Sequence, residues 1–215
     1  MMESVRRYLT MQRFIQAAAA ALLLIAFVPV ASAADFRVIN SSGGPGDSDS
    51  IEVTEFFWYG CPHCYRFAPV IEEWRQSKPD DVEFRHMPAV LSERWALHGR
   101  AFFAARALDV LDEFHMAMFR AMHEDGKRMR SESEIREFVD SLGLDGEEFV
   151  GAMNSLGVNT RMQRARDLQQ TYGVSGTPSV VIDGRYITSG SQAGSFERMI
   201  QVIDERVAAA RGERD

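Results

Sequence analysis

The stretch IEVTEFFWYGCPHCYRFAPV, residues 51–70, changes its hydrophobic period at the midpoint. Ile51, Val53 and Phe57 sit among β-branched and aromatic residues, which predicts a buried strand. From Pro62 onward, Tyr65, Phe67, Val70, Ile71 and Trp74 recur at helical spacing, so a helix is expected from Pro62 to about Ser77. Pro62 suits a first helical position, whereas Pro69 lacks an N–H inside the helix and predicts a kink. Cys61 and Cys64, the only two cysteines of the 215-residue chain, occupy the junction.

The compartment follows from the first residues. Arg6, Arg7 and Arg13 precede an apolar run from Ala17 to Val28, and Ala31-Ser32-Ala33 ends it. That order predicts a secretory signal, residues 1–33, cleaved between Ala33 and Ala34. The run is shorter than the ~20 residues a spanning helix needs, which argues against a retained anchor. No cysteine follows it to take a lipid, and Arg6-Arg7 fits a twin-arginine signal only loosely. Met11 opens a tidier signal than Met1 and is an alternative start. Cleavage leaves 182 residues, enough for one domain or a small fold with an insertion. The formal charge of −7 becomes −9, and such acidity disfavours nucleic acid and anionic lipid as general partners.

In an oxidising compartment two thiols persist as a disulfide. A loop of four residues, however, stabilises a fold by only about 2 kcal/mol, against ~4.7 kcal/mol for a loop of 100. Such a bridge is a poor staple, and chemistry explains it better. Thiol–disulfide exchange needs one accessible thiolate to attack and a second thiol to resolve the mixed disulfide. Cys61 at a helix N-terminus meets N–H groups and a dipole that favour negative charge, so it is assigned to attack. Cys64, one turn inside, is assigned to resolution. Pro62 and His63 between them set the redox balance; His63, protonated or donating a hydrogen bond, stabilises the Cys61 thiolate and hence the reduced form. A metal site is the competing reading of Cys-x-x-Cys with histidine, but no second cysteine pair exists. His86, His98, His115 and His123 show no ligand spacing to complete a tetrahedral set.

Elsewhere, Ala34 to Asn40 predicts a short edge strand before the polar, mobile loop SSGGPGDSDS, and DVEFRHMPAV a second core strand with Val82, Phe84 and His86 inward. From Ser92 to Tyr172 the pattern is helical, broken at Gly126, Gly143 and Gly157 and stopped at Gly173. Ser131 with Glu134, and Asp145 with Glu148, mark helix starts. Met116, Met118, Met122, Met129, Met153 and Met162 in this block are read as helical core rather than a client-binding surface. Strand pattern returns in SVVIDGRYITSG, with Asp183-Gly184 as the hairpin turn, and a last helix is expected from about Ser195 to Ala210.

Together, EFFWYGCPHCYRFAP and YGVSGTPSVVIDGRY resemble the DsbA family of periplasmic thiol:disulfide oxidoreductases. The resemblance implies an α/β, thioredoxin-like fold with an inserted all-helical domain, here about residues 92–172 within a domain spanning 34–215. It implies that Pro178 is a cis-proline placing Thr177 beside the cysteines and exposing backbone for an extended substrate. It also implies that Glu55 is a buried acid beneath the active site; buried without a partner, such a carboxyl holds its proton more tightly and can exchange it with Cys64. Arg85 is the candidate for a basic group near that acid, Trp58 and Tyr59 pack near the site or serve as core aromatics, and Gly60 and Thr177 tune potential and substrate choice.

The implied activity is donation of the Cys61–Cys64 disulfide to newly translocated, unfolded proteins in the periplasm. No cofactor beyond the redox-active disulfide is expected, and a membrane quinone-linked reoxidase resembling DsbB is the expected partner. The protein is expected to be a monomer. An isomerase or reductase of the same superfamily is the nearest alternative, but those commonly carry an N-terminal dimerisation domain, and only about seventeen residues lie between Ala34 and the first firm strand. A periplasmic metal-binding or chaperone module is the alternative from another class.

Overall fold

The structure, a computed structural model, describes residues 34–39 and 50–213. The expected signal, residues 1–33, and all but the last residue of the polar loop lie outside the described residues.

Apolar, β-rich stretches form one five-stranded sheet, ordered β1-β5-β4-β2-β3. Its strands are β1 (Arg37–Val38), β2 (Ile51–Phe57), β3 (Val82–Pro88), β4 (Ser179–Ile182) and β5 (Tyr186–Ser189). β2 and β3 run parallel, as a helical crossover demands, and the other pairs are antiparallel. That crossover is α1 (Pro62–Ser77), which continues through Pro69. Between β4 and β5 the chain turns at Asp183 and Gly184, with φ values of 54° and 63°, the left-handed pair that a tight hairpin requires.

Five helices separate β3 from β4: α2 (Glu93–Ala107), α3 (Leu111–His123), α4 (Glu132–Ser141), α5 (Gly146–Met153) and α6 (Leu156–Tyr172). They are the expected helical block, and a short α7 (Gly190–Ala193) and the terminal α8 (Phe196–Gly212) follow β5. Ser131 caps α4 through the Glu134 N–H, while the Glu134 carboxylate accepts from Arg130 N–H one residue before the cap. Asp145 caps α5 through the Glu148 N–H. Gly173 ends α6 with φ of 63°.

α1 contributes to two of the hydrophobic cores. On one sheet face Ile51, Val53 and Val180 pack against Phe67, Ile71 and Trp74 of α1 and Met199 and Ile203 of α8. The helical block has its own core, which takes in Phe57, Tyr59, Cys61 and Cys64. Met118, Met129, Met153 and Met162 are buried there, and Met116 and Met122 pack against it, so the methionines serve as core.

Candidate active site

Because β2 ends at Phe57 and α1 begins at Pro62, only four residues carry the chain from an interior strand of the sheet into the helix. Cys61 is the N-cap of α1, with extended backbone and Pro62 at the first helical position. Its Sγ accepts the N–H of Cys64 at 3.4 Å, the hydrogen bond a serine or aspartate side chain makes at other helix starts. Gly60 is forced by its neighbour: a Cβ there would overlap the Trp58 ring. That ring is pinned, stacked on Trp95 with centroids 4.4 Å apart and donating from Nε1 to His98 Nδ1 at 3.0 Å. His98 is buried, and desolvation lowers its pKa to about 4, so it stays a neutral acceptor.

The two sulfurs are free thiols in opposite surroundings. The Cys61 pKa falls from the ordinary thiol value to about 5. A hydrogen bond from the Cys64 thiol contributes most; burial opposes it, and the Thr177 side chain and the backbone N–H groups of Cys64 and His63 add to the lowering. His63 thus reaches the sulfur through its backbone, while its imidazole is exposed on a groove wall. Cys64 has no exposed surface, and its pKa is pushed far up by desolvation first, then by hydrogen bonding to Cys61 and the negative charges of Cys61 and Glu55.

The Thr177–Pro178 bond is cis. The loop before β4 brings Thr177 to the cysteines, where its carbonyl lies 3.4 Å from Cys61 Sγ. A groove of about 970 Å³ opens beside it, with His63, Thr177, Pro178, Gln192 and Phe196 among its walls. Ser175, Ser179, Ser189, Ser191 and Ser195 add hydroxyl groups to its lining beside the apolar surface of Pro178 and Phe196.

Glu55 is 3% exposed within β2. The expectation of a carboxyl without a partner is corrected: Glu55 Oε2 lies 2.8 Å from His86 Nδ1. Arg85 is not its basic neighbour. The parallel register sets Glu55 opposite His86 and Thr54 opposite Arg85, so alternation puts Arg85 on the other face. There it pairs with Glu52 at 2.7 Å and Glu83 at 2.8 Å.

Sequence reasoning also missed the histidines that hold the aromatic junction. His115 Nδ1 is hydrogen-bonded to the Tyr59 hydroxyl at 2.8 Å, and His123 Nε2 donates to the Tyr59 carbonyl at 2.7 Å. Both sit on α3, and only their eight-residue spacing, which puts them near one helix face, hinted at a shared task. Among the described residues, no three His, Cys, Asp or Glu side chains converge as metal ligands. The redox centre is the cysteine pair itself.

Comparison with known proteins agrees with this geometry. Residues 96–199 match the model of the DSBA-like thioredoxin domain. The chain is 41% identical over 154 residues to the thiol:disulfide interchange protein DsbA of Azotobacter vinelandii, covering 72% of each. It is 37% identical to the DsbA of Pseudomonas aeruginosa, over 74% of this chain and 78% of that protein. The crystal structure of Pseudomonas aeruginosa DsbA superposes with a TM-score of 0.80 at 32% identity, covering 84% of this chain and 94% of that one. The DsbA of Xylella fastidiosa gives 0.76 at 33%, covering 83% and 96%. With its thioredoxin-like core, its helical insertion and a cysteine pair at the head of α1, the chain belongs to the DsbA family of dithiol oxidases.

Proposed function

We propose that this protein is a periplasmic disulfide donor that oxidises cysteine pairs in newly exported, unfolded proteins. A client thiolate attacks Cys61 Sγ of the disulfide, the S–S bond breaks, and its electron pair passes to Cys64. A second client thiolate then attacks the client sulfur of the mixed disulfide and releases the Cys61 thiolate. The client loses two electrons and the enzyme gains them.

One observation carries the direction of transfer: the Cys61 pKa is lowered to about 5 at the N-cap of α1. A thiolate stabilised this far makes the reduced enzyme favourable, and so makes the disulfide a strong oxidant. In this reading Pro62 starts the helix that polarises Cys61, the Cys64 and His63 N–H groups face its sulfur, and Glu55 exchanges a proton with Cys64. Thr177 and Pro178 offer the edge along which an extended client segment lies, with the serine-rich groove beside it receiving client side chains.

Export rests on the signal read in residues 1–33, and the mature domain on residues 34–215. Turnover requires an electron acceptor, which the family resemblance gives as a membrane quinone-linked protein resembling DsbB. The reduction potential, measured in glutathione buffers, tests the function. A value well above the approximately −270 mV of thioredoxin is expected, and one near or below it contradicts donation and favours a reductase or isomerase.

A further inference from the structure

Cys61 enters α1 from a β-turn. Its N–H donates to the Trp58 carbonyl at 3.0 Å, so Tyr59 and Gly60 are the central residues and share the turn's middle peptide. Neither takes a positive φ, which excludes type II and the mirror-image turns and leaves the type I sense. Type I and type II turns differ by a flip of the middle peptide, which carries its carbonyl from one side to the other. A side chain at the third position resists the flip, because type II needs a positive φ there; glycine accepts both. Trp58 removes that safeguard. A Cβ on Gly60 would stand 2.3 Å from the pinned Trp58 ring, so glycine is required and the local sequence leaves the flip open.

A group from α3 settles it. His123 Nε2 donates to the Tyr59 carbonyl at 2.7 Å, and Tyr59 is 1% exposed, so bulk water does not replace that donor. In the flipped turn the Gly60 N–H would face the His123 N–H, donor against donor. The imidazole is itself held. It lies flat on the Tyr65 ring, centroids 5.0 Å apart at an interplanar angle of 4°, and the Tyr65 hydroxyl donates to Glu124. His115, earlier on α3, fixes the side chain of Tyr59 through its hydroxyl at 2.8 Å. Tyr59 lies just before Cys61 and Tyr65 just after Cys64, so the end of α3 grips the chain on both sides of the cysteine pair.

We propose that His123 is a positioning residue that locks the Tyr59–Gly60 peptide in the type I orientation and so holds Cys61 where the donors at the head of α1 meet its sulfur. Those donors include the Cys64 N–H, 3.4 Å from Cys61 Sγ. The thiolate of the reduced protein depends on them, whereas the disulfide does not. A turn free to take both orientations therefore costs the reduced form more than the oxidised form and makes the disulfide a weaker oxidant. The helical block thus bears on the redox balance through a backbone hydrogen bond two residues before Cys61. The inference needs only that the cysteine pair exchange with thiols, whichever proteins are its clients.

Two variants separate the donor from the ring. His123→Gln places an amide N–H where the Nε2–H stands and gives up the stacking, whereas His123→Phe keeps the stacking on Tyr65 and has no donor. From the net worth of one hydrogen bond, H123F is expected to shift the equilibrium with glutathione toward the disulfide form by roughly two- to tenfold, and H123Q to stay with the unmodified protein. Nuclear Overhauser spectra of the reduced proteins read the turn itself. The unmodified protein and H123Q should show the strong cross-peak between the Tyr59 and Gly60 amide protons that marks type I. H123F should gain the strong cross-peak from the Tyr59 α-proton to the Gly60 amide proton that marks type II, which a general loosening of the fold would not produce. An H123F that keeps the unmodified equilibrium, or shows the type I pattern alone, overturns the proposal, as does an H123Q that shifts as far as H123F. If H123F does not fold, His123→Met, also without a donor, takes its place. Failure of the unmodified protein to exchange with glutathione would instead sink the cysteine chemistry, and the cross-peaks would still decide the turn.

Discussion

The cap of α1 and its first turn hold the same side chain three positions apart and treat it in opposite ways. At the cap, Cys61 receives hydrogen bonds from the Cys64 thiol, the Thr177 side chain and two backbone N–H groups, and its pKa falls to about 5. One turn inside, Cys64 sits in the apolar core and its pKa is driven up, chiefly by desolvation. The helix terminus thus separates the two thiols into a nucleophile and a proton-holding leaving group. Thioredoxin-like chemistry needs this asymmetry more than it needs either value alone.

The largest effect comes from removing each sulfur in turn. Cys61→Ser is expected to abolish dithiol oxidation in a peptide assay, whereas Cys64→Ser, offered an oxidised client, attacks the client's disulfide through Cys61 and accumulates mixed disulfides that gel electrophoresis without reductant detects. Next is the pH dependence of the potential. Reduction of the disulfide binds two protons below the Cys61 pKa of about 5 and one above it. The potential should therefore fall by about 60 mV per pH unit in acid and by only about 30 mV per unit at neutral pH. A single slope through neutrality would show that the two thiols titrate alike.

A third effect is on stability. Because the folded pKa of Cys61 is depressed to about 5, its contribution to the reduced fold is complete only above the ~8.5 of an unfolded thiol and is lost as pH falls to 5. Urea unfolding of reduced protein against Cys61→Ala is expected to show a stability gap that closes over that window. The smallest effects divide the causes of the lowering. Cys64→Ala, which removes the largest contribution, should raise the Cys61 titration midpoint more than Thr177→Val does. The reverse order would place the main donor in the loop before β4.

Much of this was legible in the sequence because it is local. The change of period at Cys61, the proline at the first helical position, the Asp183-Gly184 turn and the helical block each follow from neighbours within a few residues. The partner of Glu55 was not legible, because it depends on the register between β2 and β3, separated by the whole of α1. Shifting that register by one residue exchanges His86 for Arg85. The Trp58 clamp on Gly60 was hidden for the same reason, since Trp95 and His98 come from a distant helix.

The most direct measurement is the pH titration of the reduced protein, following thiolate absorbance and the rate of alkylation at Cys61. The account predicts one thiolate with a midpoint near 5 and no second thiol titrating up to neutral pH and beyond. A Cys61 midpoint near the ~8.5 of a free thiol, or two sulfurs ionising together, would contradict it.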